Sequence, residues 1–144
     1  MQSIFEFYPT TDFSLDDKII YLQAVAFSAA ADGFSDAEKE IFFVLSDHFN
    51  VPRDKAIEIS NNPQFDKNDF LGKEVFKVFA PCLLRDCAAV SYGDYDLSED
   101  ERSAIMELGE ELMINQAKIT YIINAVIYQM NAIKLWSKAI RVEA

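Results

Sequence analysis

Two stretches of this chain repeat each other at a fixed offset, and the repeat limits the possible folds more than any other feature. With a shift of 63 residues, Phe34 falls on Leu97, Ser35 on Ser98, Asp36 on Glu99 and Glu38 on Glu101. The match continues without a gap through Phe42 on Ile105, Leu45 on Leu108, Phe49 on Leu112 and Val51 on Ile114. Upstream the shift becomes 62, so that Ala26 meets Ala88 and Asp32 meets Asp94, with one extra residue in the second loop. Each half reads as apolar helix, acidic loop, serine-led helix, short connection and apolar helix. Neither half has the apolar surface for its own core, so the two are expected to pack together. The expected fold is all-α: a compact bundle of about six to seven helices built from two pseudo-symmetric helix–acidic loop–helix halves. These halves are approximately 14–61 and 67–141, within one domain spanning 1–144.

Helical spacing recurs throughout and strand-like alternation is nearly absent. Ser14 precedes an apolar-periodic run that ends at Asp32-Gly33, and a second helix is expected from about Asp36 to Phe49. Pro52 suits the first turn of a short third helix ending near Ser60 to Pro63. A fourth starts near Lys67 or Asp69, and Pro81 predicts a kink or break within it. The apolar pattern resumes to Tyr92, a fifth helix follows Ser98, and a sixth runs from the cap residue Asn115 to about Arg141.

The run from Ile119 to Trp136 is the one segment to test as a membrane span. Asn124, Gln129, Asn131 and Lys134 would be costly in lipid. Ile119, Ile122, Ile123, Val126, Ile127, Met130 and Ile133 keep helical spacing, which predicts an amphipathic core helix and no direct membrane insertion. The opening "MQSIFEFYPTTDF" has an acid where a signal peptide has bases. A cytoplasmic location is expected.

The net charge is −11, from 24 acids against 13 bases. Such a surface repels phosphate backbones, which argues against nucleic acid, and suits cations or a protein partner with a basic face. Cys82 and Cys87 stand about 140° apart around a helix, so a disulfide or shared thiolate metal site is unnatural and free thiols are expected. His48 fits a helix C-terminus.

The acids of the repeat have two readings. Ser35 to Glu38 and Ser98 to Glu101 both have capping-box spacing, and Asp36 and Glu99 sit where the helix dipole favours negative charge. Helix initiation therefore accounts for them. It leaves Asp32 and Asp94, which follow the preceding helices where carboxylates are disfavoured, and Asp96 beside the second cap. From Asp94 to Glu111 there are eight acids and one base. Asp32 with Glu38, and Asp94 and Asp96 with Glu101, form an all-oxygen set suited to a divalent cation such as Ca²⁺, Mg²⁺ or Mn²⁺. An EF-hand is excluded, because the twelfth position from Asp94 is Ile105 and from Asp32 is Phe43. Any metal site of this kind reads as shallow. Its carboxylates read as exposed, with ordinary acidity. The competing reading is capping plus a solvated acidic surface.

The segment "AADGFSDAEKEIF", matched by a second acidic segment in the other half of an all-α chain, resembles the TerB-like family of bacterial tellurite-resistance proteins. The same signature occurs in a domain fused to a membrane-anchored DnaJ-like co-chaperone. The resemblance covers roughly Leu15 to Trp136. It implies a helical bundle of two related halves, an acidic surface that binds divalent metal, and a place in stress-response complexes, some of them membrane-associated. The family's acidic positions fall on Asp32 and Glu38, and on Asp94 or Asp96 together with Glu101. Tyr92-Gly93-Asp94 departs from the usual Asp-Gly order, so either aspartate can correspond to Asp32. A non-catalytic protein is expected, since there is no phosphate loop and no nucleophile with a histidine beside it.

Overall fold

Helices in this chain begin where a short polar side chain can satisfy the free N–H groups of the first turn. In the structure, a computed structural model describing residues 4–141, Ser14 Oγ accepts from the Asp17 amide at 3.1 Å and starts α1 (Leu15–Ala29). Ser35 starts α2 (Asp36–His48) and Ser98 starts α6 (Glu99–Glu111), each through a complete capping box. Asn115 Oδ1 accepts from the Lys118 amide at 2.8 Å and starts α7 (Gln116–Ile140). Between them lie α3 (Arg53–Asn61), α4 (Asn68–Leu71) and α5 (Glu74–Ser91). Among the described residues there is no strand, and the fold is the all-α bundle the repeat predicts. The first and last three residues of the 1–144 span lie outside the described range.

Two expectations need correction. Pro52 caps α3 from outside instead of entering its first turn. The expected fourth helix is interrupted at Gly72-Lys73, while Pro81 sits inside an unbroken α5. Pro81 is exposed, so water can meet the carbonyl that its missing N–H leaves unpaired.

The sequence repeat is a repeat of backbone geometry. Helix α2 ends with the Val51 amide bonded to Ser46 O and the Asn50 amide to Asp47 O, both at 3.0 Å. Helix α6 ends with Ile114 bonded to Gly109 O and Met113 to Glu110 O, again at 3.0 Å. Asn50 and Met113 hold φ of 57° and 66°. These are two Schellman motifs, 63 residues apart. In the acidic loops, Gly33 (φ 91°) follows Asp32 and Tyr95 (φ 63°) follows Asp94. Their amides bond to Ala30 O and Tyr92 O, which also correspond. Asp94 is therefore the geometric counterpart of Asp32, and Asp96 occupies the extra position.

One core runs through both halves, with α5 packed against α1, α2, α4, α6 and α7. Leu83, Leu84 and Cys87 of α5 meet Leu22, Val25, Phe42, Ile105 and Ile119 in this buried set. Cys82 and Cys87 are free, as expected, and burial pushes the Cys87 thiol up to about 12. His48 occupies the last turn of α2 and packs at a tilt of 34° against Tyr8, 5.1 Å between centroids.

The segment before α1 closes over the core through a polar network that the apolar periodicity conceals. Asp86, fully buried in α5, accepts from Tyr8 Oη at 2.7 Å and Tyr21 Oη at 2.6 Å. Its other oxygen accepts from Arg85 Nε at 3.0 Å. Arg85 also donates to the Glu6 carbonyl and lies over the Tyr8 ring. Phe13 stacks on Phe79 at 4.2 Å, completing the attachment of this segment.

Candidate functional site

The two capping boxes face each other. Glu38 Oε1 accepts from the Ser35 amide at 2.8 Å, and Glu101 Oε1 accepts from the Ser98 amide at 3.1 Å. Each box fixes a glutamate rotamer that folds back over its own helix start. The bundle then brings the starts of α2 and α6 together, so that both glutamates are buried, at 2% and 3% exposure. With the two side chains buried in one place, the Glu38 carboxyl disfavours the charged form of Glu101.

Above the pair is an open cavity of about 330 Å³ lined by Asp32, Gly33, Phe34, Ser35, Glu38, Asp94, Asp96 and Glu101. All five acids singled out in the sequence therefore line one cavity. Asp32, Asp94 and Asp96 are exposed at its rim, and Asp94 Oδ1 accepts from the Asp96 amide at 3.1 Å. Glu38 and Glu101 form its floor. Among the described residues no three acidic, histidine or cysteine side chains converge closely enough to enclose a metal ion. The arrangement is a buried carboxyl pair beneath a looser ring of aspartates.

The expectation of exposed carboxylates fails for both glutamates, and that of ordinary acidity fails for Glu101. Burial, and then the Glu38 carboxyl beside it, push Glu101 up to about 8, while the Ser98 amide pulls the other way. Two like charges in contact within a desolvated site cannot both ionise cheaply, so the pair keeps its proton near neutral pH. Capping thus accounts for how these glutamates are oriented, and leaves their burial against each other unaccounted for.

Gly93 sets the distance between the halves, and sequence spacing alone did not mark its role. A Cβ there would lie 2.9 Å from Glu38 Cα and 3.1 Å from Ala37 O. The second loop therefore rests directly on the backbone of α2, which explains the Tyr92-Gly93-Asp94 order. Gly93→Ala is expected to destabilise the protein by about 1–3 kcal/mol through overpacking. It should also separate the glutamates and bring Glu101 back toward ordinary carboxylate acidity, readable by NMR titration of its side chain. An unchanged Glu101 titration would show that Gly93 does not set the spacing.

Compared with family models, curated proteins and solved structures, the chain matches none. No helix among the described residues is long and apolar enough to cross a membrane.

Proposed function

We propose that this is a non-catalytic, TerB-like bacterial protein whose carboxylate cavity takes up a divalent cation, linking metal to a cytoplasmic stress-response or scaffold role. The observation that carries this reading is the burial of Glu38 and Glu101 against each other, one from each half, beneath Asp32, Asp94 and Asp96. A buried carboxyl pair is costly to a fold unless something other than stability maintains it. Hard cations accept oxygen donors, and Mg²⁺ is commonly held by one or two carboxylates with water in its remaining positions. The floor glutamates match that donor number, and the rim aspartates add negative potential at the entrance. A bound cation would supply the counter-charge that the shared proton now supplies, and would release that proton. Acid–base catalysis has less support, because the cavity holds no histidine and its one hydroxyl, Ser35, is engaged as the cap of the Glu38 amide.

Thermal unfolding and calorimetric titration with Ca²⁺, Mg²⁺ and Mn²⁺ test the reading directly. Binding is expected at millimolar metal or below, tightening as pH rises through about 8. It should disappear in Glu38→Gln/Glu101→Gln. No heat and no melting shift at millimolar metal would overturn it.

A second reading is docking of a basic protein partner, as part of a membrane-associated complex of the kind the resemblance implies, and it has its own observation. A groove of about 490 Å³ has apolar walls from Phe27, Phe65 and Leu108 and an edge of three acids, Asp66, Glu107 and Glu111, against one base, Lys67, which pairs with Glu111 at 2.9 Å. Reversing Glu107, Glu110 and Glu111 to lysine should then abolish capture of a basic partner while leaving metal binding intact.

A further inference from the structure

Helix α7 has two apolar faces, and only one of them is used by the fold. Ile119, Ile123, Val126 and Met130 are buried against the bundle. At about 100° per residue, Tyr121, Ala125, Tyr128, Ala132, Leu135 and Ala139 fall within about 40° of a line on the opposite side. Tyr121, Tyr128 and Leu135 are 73%, 79% and 67% exposed. Trp136, at 68%, flanks the same side. The expected polar outer face is therefore displaced to one flank, where Thr120, Asn124 and Lys138 lie.

We propose that this outer face binds a second copy of the chain, with the two α7 helices antiparallel. The spacing of the six residues is 4-3-4-3-4, the heptad seam of a coiled coil, with large and small side chains strictly alternating. In an antiparallel pair whose two-fold axis is level with residue 130, Tyr121 meets the partner's Ala139. Ala125 meets Leu135, and Tyr128 meets Ala132. Every layer then combines one large residue with one alanine, which lets the helices interdigitate. A parallel pair would instead stack alanine on alanine and tyrosine on tyrosine. The face is thus self-complementary under the two-fold symmetry that most dimers use.

Area and charge agree with this occupant. At about 200 Å² per aromatic side chain, the exposed parts of Tyr121, Tyr128 and Trp136 alone offer on the order of 450 Å². Leu135 and the alanines extend that toward the roughly 800 Å² per partner of a standard interface. Helix α7 contains three lysines and no acid, leaving ten bases against 24 acids elsewhere in the chain. Among the described residues it is the one helix on which two strongly acidic molecules can meet without opposing carboxylates. The same net charge of −11 disfavours an anionic lipid surface as the occupant.

Sedimentation equilibrium of the full chain at tens of micromolar should give twice the 16.4 kDa monomer mass. Ala132→Tyr places tyrosine against tyrosine and should weaken the dimer on the order of tenfold or more. Tyr128→Ala should weaken it by leaving a void. The double variant Tyr128→Ala/Ala132→Tyr restores one large and one small residue per layer and should recover dimerisation. Circular dichroism checks that each variant remains folded. A wild type that stays monomeric, or that binds anionic phosphatidylserine vesicles as a monomer, would overturn the proposal. So would a dimer unaffected by Ala132→Tyr, or a double variant weaker than both single ones.

Discussion

Replacing Asp86 with alanine is expected to cost about 3–5 kcal/mol, the largest loss of any single substitution considered for this protein. Asp86 is fully buried and receives three hydrogen bonds, from Tyr8, Tyr21 and Arg85. Alanine would leave Arg85 without its carboxylate counter-charge and two phenolic hydroxyls without their acceptor. Burial raises the pKa of Asp86, while the Arg85 charge and the two tyrosine donors oppose that and favour the ionised form. Against a total stability of about 5–15 kcal/mol, the loss should lower the melting temperature by roughly 10–20 °C. Asp86→Asn should cost less, because the tyrosine hydroxyls can rotate to accept from the amide. Tyr21→Phe should cost about 1–2 kcal/mol. The order Ala, then Asn, then the tyrosine change is the signature of the network, and equal effects would contradict it. Limited proteolysis should meanwhile show faster cleavage around Phe7, since Asp86 fastens that segment through Tyr8 and Arg85.

The Glu38–Glu101 pair should make stability depend on pH in the direction opposite to that of an ordinary salt-bridged carboxylate. The folded value of Glu101, about 8, lies above its ordinary 4.5. Its stabilising contribution is therefore complete below pH 4.5 and is lost as pH rises through about 8. A tenfold tighter hold on the proton in the folded state corresponds to about 1.4 kcal/mol. Because the cavity admits water, screening reduces the full value, and a loss of about 3 kcal/mol between pH 5 and 9 is expected. Glu101→Gln keeps the cap acceptor and gives Glu38 an amide donor without a charge. Urea unfolding should find this variant near wild type at pH 5 and about 3 kcal/mol more stable at pH 9. A stability difference independent of pH would show that no proton is shared. Millimolar divalent metal should stabilise the wild type at pH 9 and leave the variant unchanged. If the pH effect appears without the metal effect, the pair is real and the cation reading fails.

Much of the helix pattern is legible in the sequence because it depends on interactions three or four residues apart. Ser14, Ser35, Ser98 and Asn115 each cap the helix that their spacing predicts. The repeat is equally local, and it extends to left-handed residues at Asn50 and Met113. The break that Pro81 allows does not occur, because helix propensity says nothing about whether the affected carbonyl faces water. The five acids are identifiable as a set, but the structure inverts their roles. Asp32 stands out in the sequence as the residue in need of explanation, and it lies exposed at the rim. Glu38 and Glu101 are accounted for by capping, and they form the buried floor.

By itself, the sequence determined the all-α class, the helix starts, the repeat of two halves and the five acids as a set within that repeat. Short-range hydrogen bonds and helical periodicity are sufficient for each. The tertiary structure alone decided that the glutamates meet, because their separation depends on the close approach at Gly93. It alone decided that Asp86 is paired, through residues 78 and 65 positions away. The core-facing side of α7 was already legible in the spacing of Ile119, Ile123, Val126 and Met130. The tertiary structure alone decided that Tyr121, Tyr128 and Leu135 stay uncovered, because among the described residues no other helix reaches that side.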